Sequence, residues 1–251
     1  MFDPRIDRDR SEILKRVGST YQIAGTRHYR LSNGYSHDTK AIDVKTGSGL
    51  EYTIVEDRGL DISLVSYKGI NLTYFSRNEE AHPSYYNSRG NEWLRIFFAG
   101  LLTTCGPTYL GPPCVDEGEK LGLHGRYSSI PAKRVCDLSS FEKGKIRIAG
   151  TIEDCVLFAD KIVVERSIYS PVGESVIVIE DTFKNIGSKD SPFTLLYHIN
   201  FGYPLLSEHS EVFVQSTRVY SFDEYSQKYI DELCSFREPD SNNFEKNYWY
   251  E

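Results

Sequence analysis

The sequence predicts an all-β fold of antiparallel sheets, and three observations carry that prediction. Long runs of β-branched and aromatic residues alternate apolar and polar side chains with period two, turn residues separate the runs, and no helical pattern long enough for a parallel-sheet crossover lies between them. Strands that follow one another so directly in 251 residues bury their apolar faces most economically as two stacked sheets, although the period alone does not separate a sandwich from a closed barrel. Large β-sandwiches routinely reach this length as one domain, so length does not demand two and a single domain over 1–251 is expected.

In chain order, residues 8–17 (RDRSEILKRV) are the one convincing helix, with Ile13, Leu14 and Val17 on one side. Period two sets in at Gly47: in LEYTIVED (50–57), Leu50, Tyr52 and Ile54 alternate with Glu51, Thr53 and Val55. Strands are then predicted at LDISLVSY (60–67), INLTYF (70–75), GKIRIAGTIED (144–154), KIVVERSIYS (161–170) and SVIVIEDTFKN (175–185), each bounded by turn residues such as Lys68 and Gly69 or Pro171 to Gly173. From Ser76 to Ile146 the chain is rich in Gly, Pro, Tyr and Cys, the composition of functional loops.

Composition excludes several functions. A net charge of -7 argues against nucleic acid and anionic membranes as partners, and favours a small ligand. No apolar stretch reaches the roughly 18 to 20 residues of a membrane span, and MFDPRIDRDRSEILKRVGS lacks the apolar core of a signal peptide, so a cytoplasmic location is expected. Cys105, Cys114, Cys136, Cys155 and Cys234 are odd in number and scattered without a CxxC pair, which predicts reduced, partly buried thiols and no metal site. The heavy aromatic load, 18 Tyr and 13 Phe, suits strands first; ring faces also suit sugars.

Two of six histidines sit in surroundings that look built. His124 lies in GLHGR (122–126), between glycines that let backbone approach a ligand and with Arg126 two residues on; His198 ends an apolar run in FTLLYHINFGYPLL (193–206), followed by Asn200 and Tyr203. Taken alone, each reads first as a structural histidine bonded to a backbone carbonyl, and the presence of two such motifs in one chain favours a site. EDRGLDI (56–62) gathers Glu56, Asp57, Arg58 and Asp61 around a glycine, and Arg95 sits in an apolar run, NEWLRIFFAGLLTTCG. Both have two readings, ligand contacts or ion pairs between strands. VDEGEKLG (115–122) reads as a solvated acidic turn, and His28, His37, His82 and His209 have no such context. No GxSxG, HExxH, Walker or dinucleotide motif occurs, while paired glycosidase carboxylates stay open without support.

Four stretches together resemble the galactose-mutarotase-like superfamily, in particular its aldose 1-epimerase-like branch: RVGSTYQIAGTRHYRLSNG (16–34), GSGLEYTIVEDRGLDI (47–62), residues 94–133, and IEDTFKNIGSKDSPFTLLYHINFGYPLL (179–206). GLHGR followed by SSIPA, and YHINFGYPLL after KNIG, are specific in combination. The resemblance implies a β-supersandwich with a short N-terminal helix and a sugar cleft on one concave face. It implies that His198 is the general acid toward the sugar ring oxygen, that His124 holds the sugar, and that Arg95 binds hydroxyls. From their own settings in GLHGR, YHINFGYPLL and EDRGLDI, Arg126, Asn200, Tyr203, Arg58 and Asp61 are expected as further substrate contacts. It implies a small-molecule sugar as partner, and neither cofactor nor metal. In this superfamily the general base is a glutamate on a strand beyond the point corresponding to Glu251, so a domain short of its C-terminal strands is expected, associating through unpaired edges. The base then comes from further chain, from Glu119 or Asp240, or is absent in a protein that binds sugar without turning it over. A different sugar isomerisation or epimerisation on the same sandwich remains a third alternative.

Overall fold

The computed structural model describes residues 9–251. The helix α1 (Arg10–Leu14) starts where the Asp9 carboxylate accepts the Ser11 N–H, and it buries Ile13. It is shorter than the predicted 8–17: Lys15 to Val17 leave the helix, and Arg8 lies outside the described residues. A single turn has too few internal bonds to propagate without packing.

The strands are β1 (Gly25–Arg30), β2 (Lys40–Lys45), β3 (Leu50–Val55), β4 (Asp61–Tyr67), β5 (Ile70–Asn71), β6 (Leu102–Cys105), β7 (Cys114–Asp116), β8 (Glu119–Leu121), β9 (Lys133–Asp137), β10 (Lys145–Cys155), β11 (Lys161–Pro171), β12 (Val178–Asn185) and β13 (Leu196–Ile199), then β14 (Val219–Ser221), the turn of helix α2 (Glu224–Gln227) and β15 (Tyr248–Tyr250). A seven-stranded sheet runs in the order β1-β2-β3-β4-β6-β13, with β5 added to β4; a four-stranded sheet runs β12-β11-β10-β9; β7-β8 form a small hairpin, and β14-β15 pair across an intervening segment that includes α2. These strand pairs are all antiparallel.

The core lies between the two large sheets. Ile42, Val44, Ile54, Ile62 and Leu102 of the first meet Ile146, Ile148, Ile152, Val164 and Ile168 of the second. Each such side chain, wholly withdrawn from water, contributes roughly 1.5–3 kcal/mol. The strands β3, β4, β10, β11 and β12 lie where the alternation predicts them, whereas only Ile70 and Asn71 of INLTYF form a strand, the rest making single bridges from Thr73 to Phe201 and from Phe75 to Ala99.

Two arginines are also interior. Arg58 is fully buried and donates to three carbonyls: Nε to Ser128 O, Nη1 to Ala81 O at 2.8 Å and Nη2 to Ile96 O at 3.1 Å, with its guanidinium over the Phe98 ring. Desolvation lowers its pKa to about 10. Asp61, equally buried, accepts from Thr104 N (2.9 Å), Thr104 Oγ1 (2.6 Å) and Arg166 Nη1 (2.8 Å). The expected substrate contacts at Arg58 and Asp61 therefore resolve as bonds inside the protein, because EDRGLDI turns the chain between β3 and β4 beneath three loops that carry unpaired carbonyls.

Of the cysteines only Cys105 is buried; Cys114, Cys136, Cys155 and Cys234 are free and exposed, on a short hairpin, on the sheet-edge strand β9, at the end of β10 and near the C-terminus. The expectation of partly buried thiols is corrected to that extent. Among the described residues no helix is long and apolar enough to cross a membrane, and no group of three His, Cys, Asp or Glu could hold a metal ion.

Candidate functional site

His198 sits on β13, opposite Thr103 of β6. Side chains alternate along a strand, so Tyr197 points the other way, where its hydroxyl donates to Asp181 Oδ2 at 2.7 Å. Asn200 secures the end of β13: its N–H donates to Leu101 O (3.2 Å), its carbonyl accepts from Tyr74 N (3.1 Å) and its amide donates to His198 O (3.0 Å).

His124 reaches the same place on a loop. Its backbone adopts φ 58°, a left-handed conformation costly for a non-glycine residue. Two backbone bonds hold it there, His124 N to Gly111 O (2.9 Å) and Gly106 N to His124 O (3.1 Å). The following Gly125 is required: at φ 73°, a Cβ would stand 2.5 Å from Tyr109 O and 2.9 Å from Gly106 O. Gly125 thus lets the loop lie against the backbone of residues 106–109, and Gly122 lets it lie against Ser88, whose carbonyl oxygen a Cβ would overlap.

The two imidazoles come together with two aromatic side chains in a closed cycle. Ring centroids are 6.1 Å apart from His124 to His198, 5.3 Å from His198 to Phe97, 4.4 Å from Phe97 to Trp93 and 5.1 Å from Trp93 to His124. Trp93 is buried, while Phe97 and both histidines are half-buried and keep one side toward solvent. Burial lowers the pKa of both imidazoles; the neighbouring His198 pushes His124 further down, whereas Asn200 and the charge of Glu245 partly restore His198. Both are therefore mainly neutral at pH 7. His124 Nδ1 is buried without a partner. A bare lone pair is less costly there than an unpaired N–H, so the proton of the neutral ring belongs on Nε2.

The remaining sequence-predicted residues do not belong to the aromatic cycle. Arg95 ends the 3₁₀ turn Glu92–Arg95 that carries Trp93, but its side chain is 77% exposed and bonded to its own Glu92 at 2.9 Å. Arg126 Nε donates to the buried Asp154 at 2.6 Å. Tyr203 is 78% exposed, and its carbonyl accepts from Asn71. Trp93 and Phe97, absent from the sequence-based set, were signalled by an aromatic pair four apart in NEWLRIFF, where Arg95 drew the reading instead. Cavities of about 410 Å³ against β1 to β5, about 410 Å³ beside α1 and about 290 Å³ around Ser19 to Thr26 include neither histidine.

The fold has a solved counterpart. A putative aldose 1-epimerase from Klebsiella pneumoniae subsp. pneumoniae MGH 78578 matches with a TM-score of 0.83 at 21% identity, over 92% of this chain and 61% of that one. A galactose 1-epimerase from Lactobacillus acidophilus NCFM matches with a TM-score of 0.47 at 15% identity, over 71% of this chain and 53% of that one. This chain thus spans about three fifths of the length of the Klebsiella protein. No curated protein matches. The fold is galactose-mutarotase-like, an all-β architecture of large antiparallel sheets. Residues 36–251 match the family described as Domain of unknown function (DUF4432), and the chain belongs to that family.

Proposed function

We propose that this chain binds an aldose with its anomeric carbon beside His124 and His198, and that the site interconverts anomers by acid-base ring opening. The observation that carries the reading is the imidazole pair, 6.1 Å between centroids and half open to solvent within an aromatic cycle. The ring oxygen and the anomeric hydroxyl share one carbon, so two adjacent imidazoles that open to the same side can each reach one of them. Ring opening gives a proton to the ring oxygen as the bond from it to the anomeric carbon breaks, and water on the open side of the site takes one from the anomeric hydroxyl as the carbonyl forms. His198 is the donor: Asn200 and Glu245 partly offset the burial that lowers its pKa, whereas burial and the neighbouring ring both act to lower that of His124. His124, with its proton on Nε2, donates a hydrogen bond to a sugar hydroxyl. Phe97 offers a ring face to the apolar side of the sugar.

NMR exchange spectroscopy on glucose and galactose tests the reading. Interconversion above the buffer rate is expected, falling to that rate in His198→Ala and showing weakened saturation in His124→Ala. A His198→Ala variant as fast as the parent removes the assignment.

One observation favours a second reading, a carbohydrate-binding protein without turnover. Among the described residues no carboxylate hydrogen-bonds to either ring, so no base is paired with the imidazoles. This reading predicts saturable binding, lost on His124→Ala, with anomeric exchange at the buffer rate.

A further inference from the structure

Beneath β13 lies a charged cluster that the proposed chemistry does not use. Arg166, on β11, is wholly buried, and each of its five N–H groups has an acceptor: Nε donates to Asp181 Oδ1 (2.9 Å), Nη1 to Asp61 Oδ1 (2.8 Å) and Gly59 O (3.1 Å), Nη2 to Asp181 Oδ2 (2.7 Å) and Thr104 Oγ1 (2.9 Å). The bidentate bond to Asp181 fixes the plane of the guanidinium, which a lysine could not do. The ring of Tyr127 lies 5.0 Å beneath its carbon.

Two of the groups around this guanidinium form one cross-strand pair. Thr104 of β6 stands opposite Tyr197 of β13, and the next pair along is Thr103 opposite His198. Arg166 bonds Thr104 directly and reaches Tyr197 through Asp181, whose Oδ2 accepts the tyrosine hydroxyl at 2.7 Å. β13 has four residues and one partner strand, with Leu196, Tyr197 and Ile199 38–44% exposed, so backbone pairing alone would leave it to fray. The cluster grips it one residue before the imidazole. Its other arm reaches the second histidine's segment: Gly59, which accepts from Arg166, donates to Ile130 O at 3.0 Å, just past GLHGR.

We propose that Arg166, Asp181 and Tyr197 are positioning residues that hold His198 at its working distance from His124 through the Tyr197–Thr104 pair. This rests on the reading of His198 as the proton donor, but its geometric part can be measured without any turnover. Arg166 itself is a poor subject for substitution, because a buried pair that loses one partner unfolds proteins for unrelated reasons. Tyr197→Phe removes a single hydroxyl from a partly exposed ring and leaves the core intact. Tyr220→Phe, on the exposed β14, serves as the control.

Imidazole signals from ¹⁵N-labelled histidine decide the matter, with exchange kinetics beside them. In folded Tyr197→Phe the His198 ring resonances should shift and broaden, and its titration midpoint should move up toward that of an ordinary imidazole as water gains access; those of His124 should move far less. If the chain interconverts anomers, kcat should fall about tenfold with KM within about twofold, the pattern of a misplaced group. Tyr220→Phe should match the parent in every readout. Parent-like His198 signals in folded Tyr197→Phe overturn the proposal. Should the parent show no exchange while Tyr197→Phe still shifts the His198 ring, positioning stands and the epimerase reading falls.

Discussion

Through His124 and His198, stability and the proposed chemistry make opposite demands on pH. Burial lowers both pKa values from the ordinary 6.5, so the unfolded chain takes up protons that the folded one refuses. Stability therefore rises with pH between the lowered folded values and about 6.5, and falls as acid crosses that window. Urea unfolding at pH 5.5 and 7.5 should show this loss, and it should be smaller in a His124→Gln, His198→Gln double variant. The proposed acid role runs the other way. His198 donates only when protonated, so buffer-corrected exchange per bound sugar should increase from pH 8 toward 6 while stability declines. Gly125 tests the loop separately. Gly125→Ala drives a methyl into two carbonyl oxygens at positive φ and should cost about 2–4 kcal/mol, whereas Gly118→Ala, at φ 86° with open space, should cost about 1 kcal/mol; thermal melts compare them.

Between elements, Arg58 binds three loops at once. Its acceptors are Ile96, beside Phe97; Ser128, four residues past His124; and Ala81. Arg58→Lys cannot reproduce that fork and should lose about 2–4 kcal/mol in urea unfolding, with both histidine ring environments altered in the folded fraction. The sequence placed this arginine against a ligand because a charge cluster around glycine looks alike in either role; only the loops folding over it distinguish them. Legibility followed burial. β3, β4, β10 and β11 are buried on one face or nearly throughout and showed their period, while β1 (GTRHYR) and β9 (KRVCD) are polar, part-exposed edge strands with no apolar alternation to detect. β2 escaped because Asp43 interrupts its apolar run, although that carboxylate accepts from Tyr29 (2.8 Å) and Thr53 (2.7 Å). His28 had no visible context, yet it lies between Glu56 (3.4 Å) and Asp137 (3.3 Å) and ties β1 to the second sheet. For the pocket, the two histidine motifs stood out through their glycines and polar neighbours, but the aromatic cycle depends on a contact between residues a hundred positions apart.

Across the whole molecule, both large sheets end on the side of β12 and β13 in strands with one partner each. Ile186, Phe193, Ile199 and Phe201 on or beside these strands are 44–58% exposed. Edges of this kind recruit further strands, and charges on them suppress it. Sedimentation at tens of micromolar should show species above the 28.7 kDa monomer, and an Ile186→Lys, Ile199→Lys double variant should raise the monomer fraction. A chain that is monomeric throughout would contradict this. The edge has one more consequence, at the level of single amide protons. Because the N–H of Asn200 points to Leu101, the alternation of an antiparallel ladder turns that of His198 toward β6 as well, and those of Tyr197 and Ile199 outward. Deuterium should therefore enter Tyr197 and Ile199 quickly and His198 slowly, so that whatever covers this margin writes a change in labelling one residue away from the imidazole.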